Sequence, residues 1–190
     1  MPFTGFSFSK LHSNTNILPF ECGDQDLNSF LHNKAIPYKK ELLATTYLLE
    51  SNEKTIAYLS IYNDALAVEE KKFASRNALN RAIKELINHP KRHLRHFPAI
   101  KIGRLAVCES TKKERKGIGR TLVNFVINLA LEQNSNCACQ LITVDAYRES
   151  LNFYKKLGFI FLTENDKEED TRQMYLDLRP LMNTIEEVAT

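Results

Sequence analysis

One stretch of the 190-residue chain limits its fold more than any other. The strand-like run Ala99-Ile100-Lys101-Ile102-Gly103-Arg104-Leu105-Ala106-Val107 leads into a polar, glycine-bearing loop, Glu109 to Gly119. A long helix follows, with Leu122, Phe125, Val126, Leu129 and Ala130 at the 3.6-residue period. That helix ends around Gln133-Asn134, and Leu141-Ile142-Thr143-Val144 is a short apolar strand. A further helix over Arg148 to Leu157 places Leu151, Tyr154 and Leu157 on one side and stops at Gly158, the residue type expected at a helix C-terminus. Phe159-Ile160-Phe161-Leu162 then restarts a strand. This alternation is a crossover unit of an α/β sheet with helices on its faces.

The flanking chain reads as further layers of the same sheet. Phe3, Phe6 and Phe8 alternate with polar residues as an opening strand. Asp24 caps a short amphipathic helix through Leu27, Phe30, Leu31 and Ala35, which Pro37 should stop. The runs 44–49 and 55–62 form a hairpin, and Ser75 caps a helix whose face is Leu79, Ala82, Ile83, Leu86 and Ile87, ending near Pro90. Glu164 to Asp170 is an acidic, solvated turn before a last strand, 174–178. With 43% hydrophobic residues, the chain suits one domain, 1–180, carrying an inserted helical segment about 64–98 and a tail, 181–190.

Bulk properties exclude several classes. A net charge of +3 means that an anionic partner must be met by local clusters of Lys and Arg. No run of about 18 apolar residues and no leader pattern occurs, so a soluble cytoplasmic protein without a membrane partner is expected. Cys22, Cys108, Cys137 and Cys139 contain no CxxC pair; Cys137 and Cys139 would project the same way from a strand, and no His cluster matches them. Reduced structural thiols are therefore expected and no metal site.

The chemistry concentrates at Lys116-Gly117-Ile118-Gly119-Arg120. At the start of a helix, backbone N–H groups and the positive end of the dipole face an anion, glycines let a phosphate approach, and Arg115, Lys116 and Arg120 add charge. Two glycines alone more often mean a tight turn. The segment lacks the Gly-Lys-Ser/Thr ending of a Walker loop and the GxGxxG of a dinucleotide loop.

Gly103-Arg104-Leu105-Ala106-Val107, then Arg115-Lys116-Gly117-Ile118-Gly119-Arg120, then Asn152-Phe153-Tyr154-Lys155-Lys156-Leu157-Gly158-Phe159 occur in that order. Together they resemble the GNAT superfamily of N-acetyltransferases, strongly from Pro98 to Phe159 and more weakly in the flanking strands. The resemblance implies a mixed, mostly antiparallel α/β sheet with helices on both faces, splayed at the strands of Leu105 and Val144. It implies acetyl-CoA as acetyl donor, its pantetheine bonded to backbone along Leu105, Ala106 and Val107 and its pyrophosphate over residues 115 to 120, with Thr121 next in line. The family has Gln or Arg three residues before the first glycine; Glu114 stands here, which shifts the weight to backbone amides. Tyr154 falls where relatives carry a tyrosine that protonates the departing thiolate. Without that context it would be a helix-face aromatic packed on Phe159 and Leu157. Asn152 would touch the coenzyme. The reaction would be direct attack of a neutral amine. Glu109, Asp145 and water chains are all candidates for the base.

Phe20-Glu21-Cys22-Gly23, followed by Leu27-Asn28-Ser29-Phe30-Leu31, resembles the opening of toxin-type GNAT enzymes, which are paired with an antitoxin protein and acetylate charged tRNA. Lys91-Arg92-His93-Leu94-Arg95-His96 and Lys112-Lys113 would then meet RNA phosphates, or else are solvated surface. The 64–98 segment, longer than in compact relatives, would reshape the acceptor site or make a homodimer contact. Acetylation of a small-molecule or protein amine stands as the alternative, and a non-catalytic acetyl-CoA-binding regulatory module as the reading from another class.

Overall fold

A computed structural model describes residues 5–87, 94–113 and 117–183, with Lys113 described by its backbone alone. Seven strands, β1 (Ser7–Lys10), β2 (Thr45–Glu50), β3 (Thr55–Ala67), β4 (His96–Val107), β5 (Leu141–Tyr147), β6 (Ile160–Phe161) and β7 (Thr171–Asp177), form one sheet in the order β1-β2-β3-β4-β5-β7-β6. The pairs β1/β2, β2/β3, β5/β7 and β6/β7 are antiparallel. The α-helices are α1 (Gln25–Ser29), α2 (Ala35–Lys40), α3 (Arg76–Leu86), α4 (Glu109–Lys113), α5 (Ile118–Gln133) and α6 (Leu151–Lys155). The chain divides into two compact units, Met1–Tyr62 with Ile102–Val126, and Asn63–Lys101 with Ile127–Thr190.

In the first unit, helices cover both faces of the strands. Leu48 of β2, Tyr58 of β3 and Ala106 of β4 pack with Phe30, Leu31 and Ala35 from the α1–α2 region. Their strand neighbours Leu49, Ala57, Leu105 and Val107 pack instead with Ile118 and Leu122 of α5, because successive side chains point to opposite faces. Phe6 and Phe8 join that second cluster, as their alternation predicts, although the strand itself is Ser7–Lys10 and Phe3 lies outside the described residues.

The Phe20–Asp24 segment is a built helix entry. Gly23 takes φ +84°, Asp24 accepts the Leu27 N–H at 3.0 Å, and the Asn28 side chain accepts the Cys22 N–H at 3.1 Å. Glu21 accepts from both the Gly23 N–H at 2.7 Å and the Asn28 amide at 2.6 Å, and the Gly23 bond leads in holding its carboxyl below the usual range. Pro37 does not stop the helix. Between α1 and α2 lies a π-helical turn, Phe30–Lys34, in which the Ala35 N–H reaches back to the Phe30 carbonyl. Pro37 thereby falls in the first turn of a restarted helix, where backbone N–H groups have no intrahelical acceptor to lose.

Nor is 109–119 all loop. The Thr111 and Lys112 N–H groups close on the Cys108 carbonyl at 3.0 Å, the Glu109 N–H donates to Glu21, and Lys112 Nζ donates to the Cys22 carbonyl at 2.9 Å, so tertiary bonds fold this polar stretch into α4.

In the second unit, Leu79, Ile83 and Leu86 of α3 pack on Leu66, Phe97, Ala99, Leu141 and Tyr175. Ser75 caps α3 by accepting the Ala78 N–H at 3.2 Å. The 64–98 segment contributes strand at each end, since β3 runs to Ala67 and β4 starts at His96. Arg148–Ser150 is a 3-10 turn, and α6 follows it more briefly than periodicity suggests. Gly158, at φ +90°, carries the chain out of α6, and a Cβ there would lie 3.4 Å from Leu176 of β7.

The acidic turn is not wholly solvated. Asp166 is buried, accepting Arg172 Nε at 2.8 Å and the Gln173 N–H at 2.9 Å. The Arg172 guanidinium lies 3.6 Å over the Phe161 ring. Cys137 and Cys139 stand in no strand and do not project alike: Cys137 is exposed, whereas Cys139 is buried, its N–H held by the Asn134 side chain at 2.8 Å. All four cysteines are free thiols. Of the tail, 181–183 continue a helical turn on the Leu178 carbonyl, and 184–190 lie outside the described residues.

Candidate functional site

The first unit carries the strand end and helix start of the expected coenzyme site. Ala106 is buried, and Leu105 and Val107 are half-buried against Ile118 and Leu122. The Cys108 N–H donates to the Ile56 carbonyl at 2.8 Å and fixes where β4 ends. Burial works to raise the Cys108 thiol, but the Ser110 hydroxyl at 3.3 Å, the Ser110 amide, the Lys54 charge and the Thr111 amide together outweigh it and bring the thiol below its ordinary value.

Gly117 takes φ +68°, and a Cβ there would meet nothing within 4 Å, so glycine serves the left-handed backbone and not a steric need. Thr121 closes the first turn, its N–H reaching the Gly117 carbonyl at 3.1 Å and its hydroxyl at 3.3 Å. The N–H groups of Ile118, Gly119 and Arg120 precede that bond and point out of the start of a 16-residue helix. An exposed glycine, three such donors and the exposed Arg120 fit a phosphate. Gly119 and Arg120 belong to the helix and not to the loop before it. Arg115 and Lys116, with Glu114, lie outside the described residues.

The second unit carries Tyr154. Its ring is 6% exposed, edge-on to Phe153 at 4.9 Å and Phe159 at 5.3 Å. Burial pushes the phenol well above its ordinary value, so it stays protonated at any physiological pH. Its hydroxyl has no hydrogen-bond partner among the described residues, yet is not sealed in as a buried orphan. A neutral phenol with an uncommitted proton can serve as an acid. Asn152 is exposed on the same helix.

The carboxylates separate in role. Asp145 is bound to Lys101 at 2.6 Å, and Glu109 is exposed in the first unit. Asp64 of β3 accepts the hydroxyl of the fully buried Thr143 at 2.7 Å. Sequence reasoning passed over Asp64 because it fell in the segment read as an insertion, and Asn63-Asp64-Ala65-Leu66-Ala67 holds no aromatic or β-branched residue to mark the strand. Among the expected basic groups, Lys112 is tied to the Cys22 carbonyl, and Arg95 and His96 are exposed. Lys91, Arg92, His93 and the Lys113 side chain lie outside the described residues. No cluster of metal ligands occurs among the described residues, and no described helix is long and apolar enough to cross a membrane.

A search of curated proteins returned no match. Among solved structures, a tyrosine-to-phenylalanine mutant of the AtaT toxin, bound to acetyl-CoA and the C-terminus of the antitoxin AtaR, aligns at TM-score 0.70 with 19% identity, over 95% of this chain and 98% of that one. A tyrosine-to-phenylalanine mutant of KacT aligns at 0.74 with 18% identity, over 95% and 99%. AtaT complexed with acetyl-methionyl-tRNAfMet aligns at 0.72 with 20% identity, over 97% and 99%. At these identities the likeness is one of fold. The family model described as Acetyltransferase (GNAT) domain matches residues 65–174, which is more than half of the chain, from the end of β3 into β7. The chain therefore belongs to the GNAT acetyltransferase family.

Proposed function

We propose that this acetyltransferase moves the acetyl group of acetyl-CoA to the amino group of an aminoacyl-tRNA by direct attack, acting in the cytoplasm as the toxin of a toxin–antitoxin pair. The observation that carries the catalytic part is Tyr154, a buried, neutral phenol whose hydroxyl has no competing partner among the described residues. Acetyl-CoA supplies an activated thioester. The N–H groups of Ile118, Gly119 and Arg120 bind its phosphates, the backbone of Leu105, Ala106 and Val107 orients the arm, and Thr121 holds the turn. Asn152 adds a polar contact. As the C–S bond breaks, the Tyr154 O–H gives its proton to the leaving sulfur, and the proton shed by the attacking amine restores the phenol through water. Desolvation that raises the phenol also raises the leaving thiol, so the proton transfer stays matched.

Support for the acceptor is the toxin-type opening around Phe20–Leu31 and the likeness to a fold caught with an acetylated aminoacyl-tRNA. An antitoxin partner and homodimer formation belong to the same reading. Acetylation of a small-molecule or protein amine is the second reading, favoured by Lys112, whose ammonium is tied to Cys22 instead of facing a ligand.

Purified protein, acetyl-CoA and bulk charged tRNA decide between them. Label should appear on the aminoacyl group, and Tyr154→Phe should lower kcat by about 10²-fold or more with acetyl-CoA affinity unchanged, because the hydroxyl acts in the transition state. Turnover of polyamines with no label on RNA sinks the tRNA reading. Acetyl-CoA binding without turnover on any amine leaves the regulatory module.

A further inference from the structure

Arg104 stands immediately before the strand end expected to hold the coenzyme, and it is placed with unusual care. Its guanidinium carbon lies 4.1 Å from the centroid of Phe30. Phe30 is 1% exposed and is itself fixed by two other rings, Tyr38 edge-on at 5.4 Å and Tyr58 stacked at 6.2 Å. The guanidinium therefore rests on a rigid aromatic platform. Its neighbour Gly103 is required by close approach: a Cβ there would lie 2.5 Å from the Tyr62 ring and 3.5 Å from the Ser60 carbonyl. The Tyr62 ring thus covers the backbone beside Arg104.

Among the described residues the Arg104 guanidinium donates to no carboxylate or carbonyl, and its one contact of note is the Phe30 face. Two other arginines with partly or fully buried side chains are bound: Arg172 to Asp166 and to the Thr163 carbonyl, Arg179 to Asp177 and to the Glu85 carbonyl. Stacking on a ring uses the π-face of a guanidinium and leaves its N–H edge, which suits two parallel bonds to one anion. Arg104 is half-buried, so the edge is neither dispersed in bulk water nor sealed away.

We propose that Arg104, stacked on Phe30 and flanked by Tyr62, is the acceptor-side anion receptor, taking a phosphodiester of the nucleotide end that carries the amino acid. This rests on the aminoacyl-tRNA reading above. In such an acceptor the amino acid's own carboxyl is esterified, so the anion nearest the attacking amine is a backbone phosphate. A guanidinium on the coenzyme strand itself, one residue before Leu105, meets that group, whereas exposed lysines and arginines elsewhere supply attraction without register. Arg104 is thus a positioning and specificity residue.

The test compares wild type, Arg104→Gln and Arg104→Lys with two acceptors, charged tRNA and a phosphate-free aminoacyl ester. Acetyl-CoA affinity, measured by calorimetry, reports that each variant is folded. The expected result is a rise of about 10-fold or more in KM for charged tRNA, and a loss in kcat/KM at least about tenfold larger for tRNA than for the ester. In Arg104→Gln the salt dependence of log KM should fall by about 0.7 to 0.9, one phosphate's share. Arg104→Lys keeps the charge and loses the planar fork, so it should show most of the KM effect while keeping most of the salt slope; its KM also carries the test if the Gln variant fails to fold. If wild type acetylates charged tRNA and the variants keep its KM and salt slope, or lose equally on both acceptors, the role of Arg104 is overturned and the tRNA reading stands. If wild type does not acetylate charged tRNA, both fall.

Discussion

At the scale of single residues, several roles show only in the structure, and Leu42 is the sharpest. The turn after α2 is a Schellman motif: the Leu43 N–H donates to the Tyr38 carbonyl at 2.9 Å and the Leu42 N–H to the Lys39 carbonyl at 3.3 Å. The position between cap and exit normally holds glycine, since it needs a left-handed backbone, and Leu42 sits there at φ +59° while 87% exposed. Its side chain gains no packing to offset the strain. Leu42→Gly should therefore raise stability by about 0.5 to 1 kcal/mol, with most of the native contacts intact. Urea unfolding of the two proteins checks this; a loss of stability would mean that the exposed leucine packs in solution. No sequence rule marks Leu42, because a leucine between a helix and a strand reads as an ordinary spacer. The neighbours Phe153, Gly158 and Phe159 single out Tyr154 in the sequence, but its burial and the lack of a hydroxyl partner among the described residues show only in the structure.

At the scale of elements, periodicity located helices and strands wherever one face is apolar, and it lost accuracy where tertiary bonds replace that face. The α5 register is the clear success: Leu122, Val126 and Ala130 are buried at the expected spacing. The π-helical turn that rescues Pro37 and the short α4 built on Cys108 follow from hydrogen bonds across the chain, which a local pattern does not contain. The β6–β7 hairpin is the same lesson with charge. An acidic stretch reads as solvated, yet Asp166 and Arg172 are both buried and bonded at 2.8 Å, with Arg172 also donating to the Thr163 carbonyl at 2.7 Å. Removing one member strands the other charge in a site with little water. Asp166→Ala should cost about 3 kcal/mol, more than Asp166→Ala with Arg172→Met together. A thermal or urea melt of the single and double variants reads the difference; equal losses would show the pair to be a surface contact.

For the whole molecule, a mostly antiparallel sheet with helices on both faces was implied by family resemblance more than by pattern, and the strand order shows only in the structure, since no local signal pairs β5 with β7 across the chain. The division into two compact units was not legible at all, because β3 and β4 are continuous runs in sequence. A global observable still reports on both buried phenols of the second unit. Burial, chiefly, raises Tyr175 to about 12, with the nearby Glu85 and Asp177 carboxylates adding to it, and burial raises Tyr154 beyond that range. In both cases the folded value lies above the ordinary value of 10.0 that the unfolded chain keeps. Below pH 10 both states hold these protons and the stability is fully present. Above it the unfolded chain releases them first, so stability falls as pH rises, at about 1.4 kcal/mol per pH unit for each phenol, and the loss from Tyr175 is complete once pH passes about 12. Lysines titrate in the same window, so the informative quantity is the difference between wild type and Tyr154→Phe, which removes one of the two phenols. Their unfolding free energies should run parallel from pH 7 to 9 and converge or cross between pH 10 and 11.5, the variant falling less steeply. Curves that stay parallel throughout would place the Tyr154 hydroxyl in water in the folded protein, and with it would go the neutral, desolvated acid that the catalytic proposal needs.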